Sequence, residues 1–547
     1  MTHATPRWRM LASAFTVLLL LATACSSSDD PTTEDATDDG AEPADDATDT
    51  AEEPADEGPA ADVDGDGTVQ LGILGECEGP FGGFHEDVVG GVVMAMATEA
   101  GATVNSTTTA LDGWEGAEVN GTAIELVGVG CGDDTADTIL GEVRQLVEQD
   151  GAEVIIGPLS GDEGIAVAEY TRDNPDLTTL SGIAGSQEPT LEVQAPNYFR
   201  FHGEGAIWNA GLGDILHNEA GWDTVAVIAD DYSFGHTSAA GLIADFCGAG
   251  GDVTSRVFPP LGTTDYSSFV QQLPDPEEVD GYFWVIGGTG TQAALEAFIN
   301  AKGDLTGDQH AGNLFFNPGL ATALGTSIDG AYVGGFASLP GDVQTEEIQS
   351  YLAAADEIWE SLPTGTAGGE PAPASQAAGF GFFYGYYSAG VALVRALEAT
   401  GGDTSPEALQ GALAELELDL PYGTVALDEN RSGIVDTFVA QLVEEDGEIV
   451  QKTRYIVPGV DQSFGGTFST ETPPPGRDFP PCEEADLPWH GNEIPVVDGD
   501  PQPDGPTGPG SYEEVAGGGD VGDDDAGDDD AGGDDATEDA TEEETEG

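Results

Sequence analysis

Gly157-Pro158-Leu159-Ser160-Gly161-Asp162 follows the apolar run Val154-Ile155-Ile156 and precedes a helical pattern from Ile165 to Arg172. Gly-Pro stops a strand, and a serine is a natural N-cap, so the stretch reads as strand, turn and helix. The first amides of a helix lack internal partners and carry the positive end of its dipole. At the carboxyl edge of a parallel sheet such a turn can hold a polar ligand. An ordinary capped turn explains the same residues. A second group is Phe380-Gly-Phe382-Phe383-Tyr384-Gly-Tyr386-Tyr387, either a platform for a sugar or quaternary amine or the packing face of a long helix.

Enzyme signatures are missing. The histidines His85, His202, His217, His236, His310 and His490 are scattered, without the paired spacing of zinc sites. Lys302 and Lys452 are the only lysines, and neither follows the glycine that a phosphate loop requires. No Gly-x-Ser-x-Gly elbow is present. Asp62-Val-Asp64-Gly-Asp66-Gly67 starts like a calcium loop, but its twelfth position is Ile73 instead of Glu. We expect no cofactor and no metal.

The elements that would position these residues begin at Val69. Short apolar runs alternate with helical ones, the pattern of an α/β fold with mostly parallel sheets. Strands are expected at 69–74, 124–129, 154–156 and 177–180, with helices at 86–99, 136–149 and after Ser160. After Arg200 the alternation restarts. Helices 206–217, 235–247, 266–273 and 291–301 interleave with strands 224–229, 253–258, 281–286 and 313–317. Two doubly wound halves result.

Val69-Gln-Leu-Gly-Ile-Leu with Gly79-Pro80, Ile155-Ile-Gly-Pro-Leu-Ser160, Asn197-Tyr-Phe-Arg200, Val225-Ala-Val-Ile-Ala-Asp230 with Phe234-Gly235, and Thr264-Asp-Tyr-Ser-Ser-Phe-Val270 occur in that order. The ordered set resembles the type I periplasmic binding proteins, in the branched-chain amino acid, amide and urea group that serves ABC importers. The likeness spans about residues 68 to 457. It implies an α/β fold of two doubly wound parallel-sheet lobes joined by a three-crossover hinge. Lobe one would hold about 67–201 and 340–420, including helices 345–361 and 376–400. Lobe two would hold about 202–339 and 421–490, including strands 423–427, 434–443 and 449–456. By the same resemblance Ser160, Gly161 and Asp162 meet a ligand's carboxylate end together with Ala184, Gly185 and Ser186. Phe84 and Phe234 supply cleft aromatics, and Thr289 and Pro318 fall at further ligand-binding positions. The expected acid is missing near Gly319, Thr289 stands where an aromatic is common, and Asp162 and Glu163 stand where a ligand carboxylate would be welcomed. Either those two acids point to solvent or the ligand is neutral or cationic there.

Arg7 and Arg9 precede an apolar run from Met10 to Ala22, short for a membrane span and suited to a secretory signal in residues 1–24. Leu21-Ala-Thr-Ala-Cys25 resembles a lipoprotein processing box with Cys25 as the lipidated residue. Ala22 departs from its commonest form, and cleavage after Ala24 is the alternative. Residues 25–66 read as an acidic, disordered tether, 67–490 as the two-lobe domain, and 491–547 as an acidic, disordered tail. Of five cysteines, Cys77, Cys131, Cys247 and Cys482 then remain for two disulfides in an exported chain. Cys77 with Cys131 and Cys247 with Cys482 is the favoured pairing, because the first two follow strands expected to be neighbours.

Lys and Arg total 12 against 104 Asp and Glu, a formal charge of −92. That field repels nucleic acid and anionic lipid, so no nucleic-acid partner is expected, and membrane contact only through the lipid. It is easiest to tolerate where salt screens it. The reading is a monomeric, lipid-anchored solute-binding protein on the outer face of the cell membrane, not an enzyme, with an ABC permease as partner. A sensor or scavenger built on the same trap, and a secreted α/β hydrolase, are the alternatives.

Overall fold

The computed structural model of the 547-residue chain describes residues 67–516, apart from 288, 289, 314–319, 321, 322 and 336–338. The signal, Cys25, the tether with its calcium-like stretch, Thr289 and Pro318 lie outside the described residues.

The first sheet grows from β1 (Thr68–Glu76). After α1 (His85–Glu99) the chain forms β2 (Thr122–Gly132), then α2 (Ala136–Arg144), β3 (Val154–Ile156), α3 (Gly161–Asp173), β4 (Thr178–Leu180) and β5 (Tyr198–Phe199). These strands lie in the order β2-β1-β3-β4-β5, all parallel, with Glu118–Val119 antiparallel on the β2 edge. Leu71 and Ile73 on β1, Ile155 and Ile156 on β3 and Leu180 on β4 are buried, the apolar runs that a sheet covered on both faces needs.

The second sheet repeats the winding. After α4 (Leu212–Asn218) come β6 (Thr224–Ala229), α5 (Ser233–Gly248), β7 (Asp252–Val257), β8 (Gly281–Val285), α6 (Gly290–Lys302), β9 (His310–Gly312) and β10 (Tyr332–Gly334). Their order is β7-β6-β8-β9-β10, again parallel. The chain then returns to the first lobe with α7 (Glu346–Ile358), α8 (Gly381–Thr400) and α9 (Pro406–Ala414). It crosses a third time into β11 (Glu417–Leu420), β12 (Gly423–Leu427), β13 (Gly433–Glu445) and β14 (Glu448–Val460). β13 pairs antiparallel with β10, and the long β13–β14 hairpin extends the second sheet. This is an α/β fold of two doubly wound lobes joined by three crossovers.

Four elements differ clearly from their expected spans, the first being the helix expected at 266–273, which is the single turn Ser267–Val270. The helix expected at 206–217 is a 3-10 turn at Ile207–Asn209 followed by α4, divided at Gly211, whose φ of 78° is left-handed. A Cβ there would lie 2.6 Å from Val457 Cγ2, so close packing on β14 also requires glycine. The helix expected at 376–400 is broken between Ala374–Ala378 and α8, where Phe380 is extended. The strand expected at 313–317 pairs instead at His310–Gly312, and residues 314–317 are not described.

The expected tail at 491–547 is corrected over its first part. Ile494–Val497, labelled β15, pairs antiparallel with β14 through Tyr455 and Ile456, and the helix Ser511–Ala516 follows. Arg454, almost buried, bonds Glu219 at 3.0 Å and Glu513 at 3.1 Å, and its guanidinium lies 3.7 Å from the Tyr512 ring centre. One buried cation between two carboxylates and a ring fixes a segment too polar to be called structured from its composition.

Disulfides join Cys77 to Cys131 and Cys247 to Cys482, each with Cα atoms 5.2 Å apart. The first ties the residue that follows β1 to the end of neighbouring β2. The second fastens the proline-rich stretch after β14 to the end of α5.

Candidate functional site

In a doubly wound sheet, the strands on either side of the first one send their loops in opposite directions, leaving a crevice at the carboxyl ends. Here that point lies between β1 and β3 in one lobe and between β6 and β8 in the other. The first crevice carries Glu76, Phe81 and Ser160; the second carries Asp230, Tyr232, Phe234 and Gly287. The two face each other. A Cβ on Gly161 would stand 2.6 Å from Ser233 Oγ and 3.1 Å from Phe234 N, and one on Gly287 would stand 2.5 Å from Phe81. Asp162 Oδ1 accepts a hydrogen bond from Ser233 N across the gap at 3.2 Å.

Between the lobes remains a cavity of about 10 Å3, room for about one water. On one side it is lined by Phe81, Phe382, Ser160, Gly161 and Gly185; on the other by Trp208, Tyr232 and Phe234. Phe81 and Phe382 meet edge to face at 6.0 Å, while Phe234 packs against Trp208 at 5.1 Å and Tyr232 at 5.9 Å. Trp208 is held by its Nε1–H, which donates to Gly203 O at 2.7 Å.

Ser160 stands at the N-cap position of α3, but its hydroxyl does not cap the helix. Its amide donates to Glu76 Oε1 at 2.8 Å, and the Leu159 amide reaches the same oxygen at 3.2 Å. A carboxylate from β1 thus takes the two amides just before α3. Ser186 Oγ donates to Gly161 O at 3.0 Å, and Ala184 is packed under Gly164, so neither side chain lines the cavity. Phe84 lies one step away from it, stacked on Phe380 at 5.3 Å and edge-on to Phe382 at 4.9 Å. Phe81, three residues earlier, forms the wall.

Of the two acids expected at solvent, Asp162 is half-buried and Glu163 wholly buried. Glu163 Oε1 accepts the amides of Asp133 at 3.2 Å and Asp134 at 3.0 Å. Its carboxyl also meets that of Glu76; Oε2 of each has no N–H or hydroxyl donor, so a proton held between them satisfies both. Burial, then the neighbouring Glu163, pushes the Glu76 carboxyl well above the carboxylate range. Asp134 is pushed up to about 7 by burial and by Glu163. Asp230 is pushed up to about 7 by burial, although its Oδ2 accepts the Gly287 amide at 2.7 Å. Tyr232, between them, is raised by burial and then by Asp230, Asp134, Asp162 and Glu76. The cavity is thus walled by aromatic rings, with buried acids beyond them.

A family model described as periplasmic binding protein matches residues 68–448. The chain belongs to that family. Among solved structures, this periplasmic binding protein is similar to an ABC transporter substrate-binding protein from Sphaerobacter thermophilus at 20% identity and TM-score 0.59, covering 72% of this chain and 99% of that one. It is also similar to a solute binding protein from R. palustris in complex with benzoate, at 18% identity and TM-score 0.58, covering 72% and 98%. A leucine binding protein from Thermotoga maritima matches at 16% identity and TM-score 0.55, covering 71% and 99%. No curated protein matches the binding protein by sequence. Likeness at these identities shows the fold, that of ABC substrate-binding proteins. Among the described residues no helix is long and apolar enough to cross a membrane.

Phe81, Trp208, Tyr232 and Phe382 are the wall residues that the sequence did not single out individually. Phe382 lay within the aromatic run. Phe81 stood in the Gly-rich loop before Phe84, and only the fold of the 3-10 turn Gly82–Phe84 chooses between them.

Proposed function

We propose that this protein is the solute-binding component of an ABC importer. It captures a small polar solute, an amino acid, amide or similar molecule, between its lobes and presents the closed form to a permease. The observation that carries this reading is the meeting of the two switch-point crevices, with Gly161 against Ser233 and Phe234. Because the enclosed space holds about one water, solute enters only when the lobes part, and contacts from both sides then favour closure. Ser160, Gly161, Asp162, Gly185 and Phe234 belong to the proposed site with Phe81, Trp208, Tyr232 and Phe382. Phe84, Ala184 and Ser186 support it from behind. Thr289 and Pro318 stay in the proposal on the family resemblance alone.

The proposal places the protein outside the cell as a monomer, held by a lipid on Cys25, and without catalytic turnover. Thermal-shift screening of the purified chain, with small-angle scattering on each hit, tests it. A bound solute is expected to raise the melting temperature and shrink the radius of gyration without being consumed. Hydrolysis of an amide or ester would remove the reading. Gly161→Val is expected to prop the lobes apart, enlarging the scattering radius and abolishing the shift.

A further inference from the structure

We propose that the cleft selects an organic cation, an amine or quaternary ammonium group enclosed by aromatic rings and buried carboxylates, and rejects solutes whose enclosed end is a carboxylate. This rests on the solute-capture reading above and names its ligand class.

The place a ligand carboxylate would take is already filled. Glu76 Oε1 holds the Leu159 and Ser160 amides, and Ser186 Oγ is spent on the Gly161 carbonyl. A second anion would be desolvated beside the first, and the side-chain donor left on that wall is the Ser160 hydroxyl. Among the described residues no lysine or arginine lines the cavity. Buried Arg200 stands behind Ser186, to whose carbonyl it donates at 2.7 Å, with Glu188 and Glu204 within electrostatic reach.

What stands behind the cleft walls instead is a set of buried acids. Asp134, 8% exposed, approaches the Phe81 amide and the Ser160 hydroxyl without closing a hydrogen bond, and neither of its carboxylate oxygens has a partner. Asp230, 1% exposed, has Oδ1 without a partner. The two come from opposite lobes and both lie within electrostatic reach of Tyr232, whose ring borders the cavity, while Asp230 holds the amide of Gly287, the glycine packed against Phe81. Buried polar oxygens left unsatisfied are costly, and a cation entering between them removes that cost. The rings supply the remainder. Phe81 and Phe382 face Trp208, Tyr232 and Phe234, and a desolvated ammonium over such faces is attracted by their quadrupoles. Separating the lobes divides the ring set and the two acids, so a cation bound to all of them favours closure.

The test titrates the full-length protein with tetramethylammonium, choline and benzylamine, and with benzoate and leucine, at equal ionic strength, reading melting temperature and scattering radius. At least one amine is expected to raise the melting temperature saturably and shrink the particle, with benzoate and leucine silent. Asp134→Asn is expected to weaken that amine by about tenfold, the loss of one close charge in a desolvated site, and Phe81→Leu by a similar factor. If Asp134→Asn misfolds, Asp230→Asn carries the same expectation. Benzoate or leucine closing the lobes while the amines do nothing would overturn the cation assignment and leave solute capture standing. Amine binding unchanged in the folded variants would also overturn it. No shift and no closure with any compound would remove both.

Discussion

At the scale of single residues the cleft is defined by acids kept from water. Asp134, Glu188, Glu204 and Asp230 are each pushed up to about 7 by burial, and Glu76 and Glu163 are raised as well. The folded pKa of Asp230 lies above its ordinary value of 3.8, so the native state holds the proton more tightly than the unfolded chain. Its contribution is full below pH 3.8 and is lost as the pH rises to about 7. Scanning calorimetry is expected to show the melting temperature falling across that window, with a shallower fall in Asp230→Asn. A melting temperature that climbs steadily from pH 4 to 7 would contradict the burial account. In the sequence Ser160 and Gly161 stood out as a turn before a helix, and Gly185 and Phe234 only through the family resemblance. The sequence could not mark Asp134 or Asp230 for this purpose, because burial of an acid depends on which loop from the other lobe comes to cover it.

Secondary elements meet through small residues. On α1, a Cβ at Gly91 would fall 2.2 Å from the Phe383 carbonyl oxygen and 2.8 Å from the Tyr387 amide, so α1 and α8 cross backbone to backbone. Gly91→Val is expected to cost about 3 kcal/mol in urea denaturation, the upper part of the overpacking range, because rigid backbone has to move. Tyr386, further along α8, donates its hydroxyl to Leu74 O at 2.6 Å and has Gly182 beneath its ring, joining the helix to the first sheet. The aromatic run of α8 is divided, with Phe382 bordering the cavity while Phe383 and Tyr386 pack inside the lobe. Period and turn chemistry made most strands and helices legible. They failed at Gly211 and at the break before Phe380, where packing against β14 and the Phe84 ring decides the backbone path. The Cys247–Cys482 bond holds an element with little secondary structure of its own. Cys482→Ser is expected to lower stability by about 2–4 kcal/mol and to expose the stretch between β14 and β15 to proteolysis.

Over the whole molecule, charge of one sign is the dominant feature, with 104 acids against 12 lysines and arginines. Several of the few cations are structural: Arg200 is buried beside the cleft, Arg454 joins the carboxyl segment to the second lobe, and Arg395 pairs with Glu99 and Glu398. Repulsion among the rest is long-ranged at low salt and screened within about 3 Å at molar salt. The urea midpoint is expected to rise steeply as sodium chloride is raised to the molar range; a flat dependence would show that repulsion does not limit stability. The two-lobe plan was visible in the sequence, where the strand and helix alternation runs twice. The packing of residues 491–516 on the second lobe was not, since β15 rests on four residues, Ile494-Pro-Val-Val497, set among acids and prolines.

The second sheet is assembled from segments as far apart as Thr224 and Val497, and its clasp is Cys482. For a polypeptide threaded through a membrane amino end first, the first lobe's parallel strands would all have emerged long before that cysteine. Cys247 would wait outside as a lone thiol, open to a wrong partner, until nearly the entire length had passed. Export and oxidation would therefore have to be timed to each other, and an arrested translocation intermediate would be recognisable by an alkylatable Cys247.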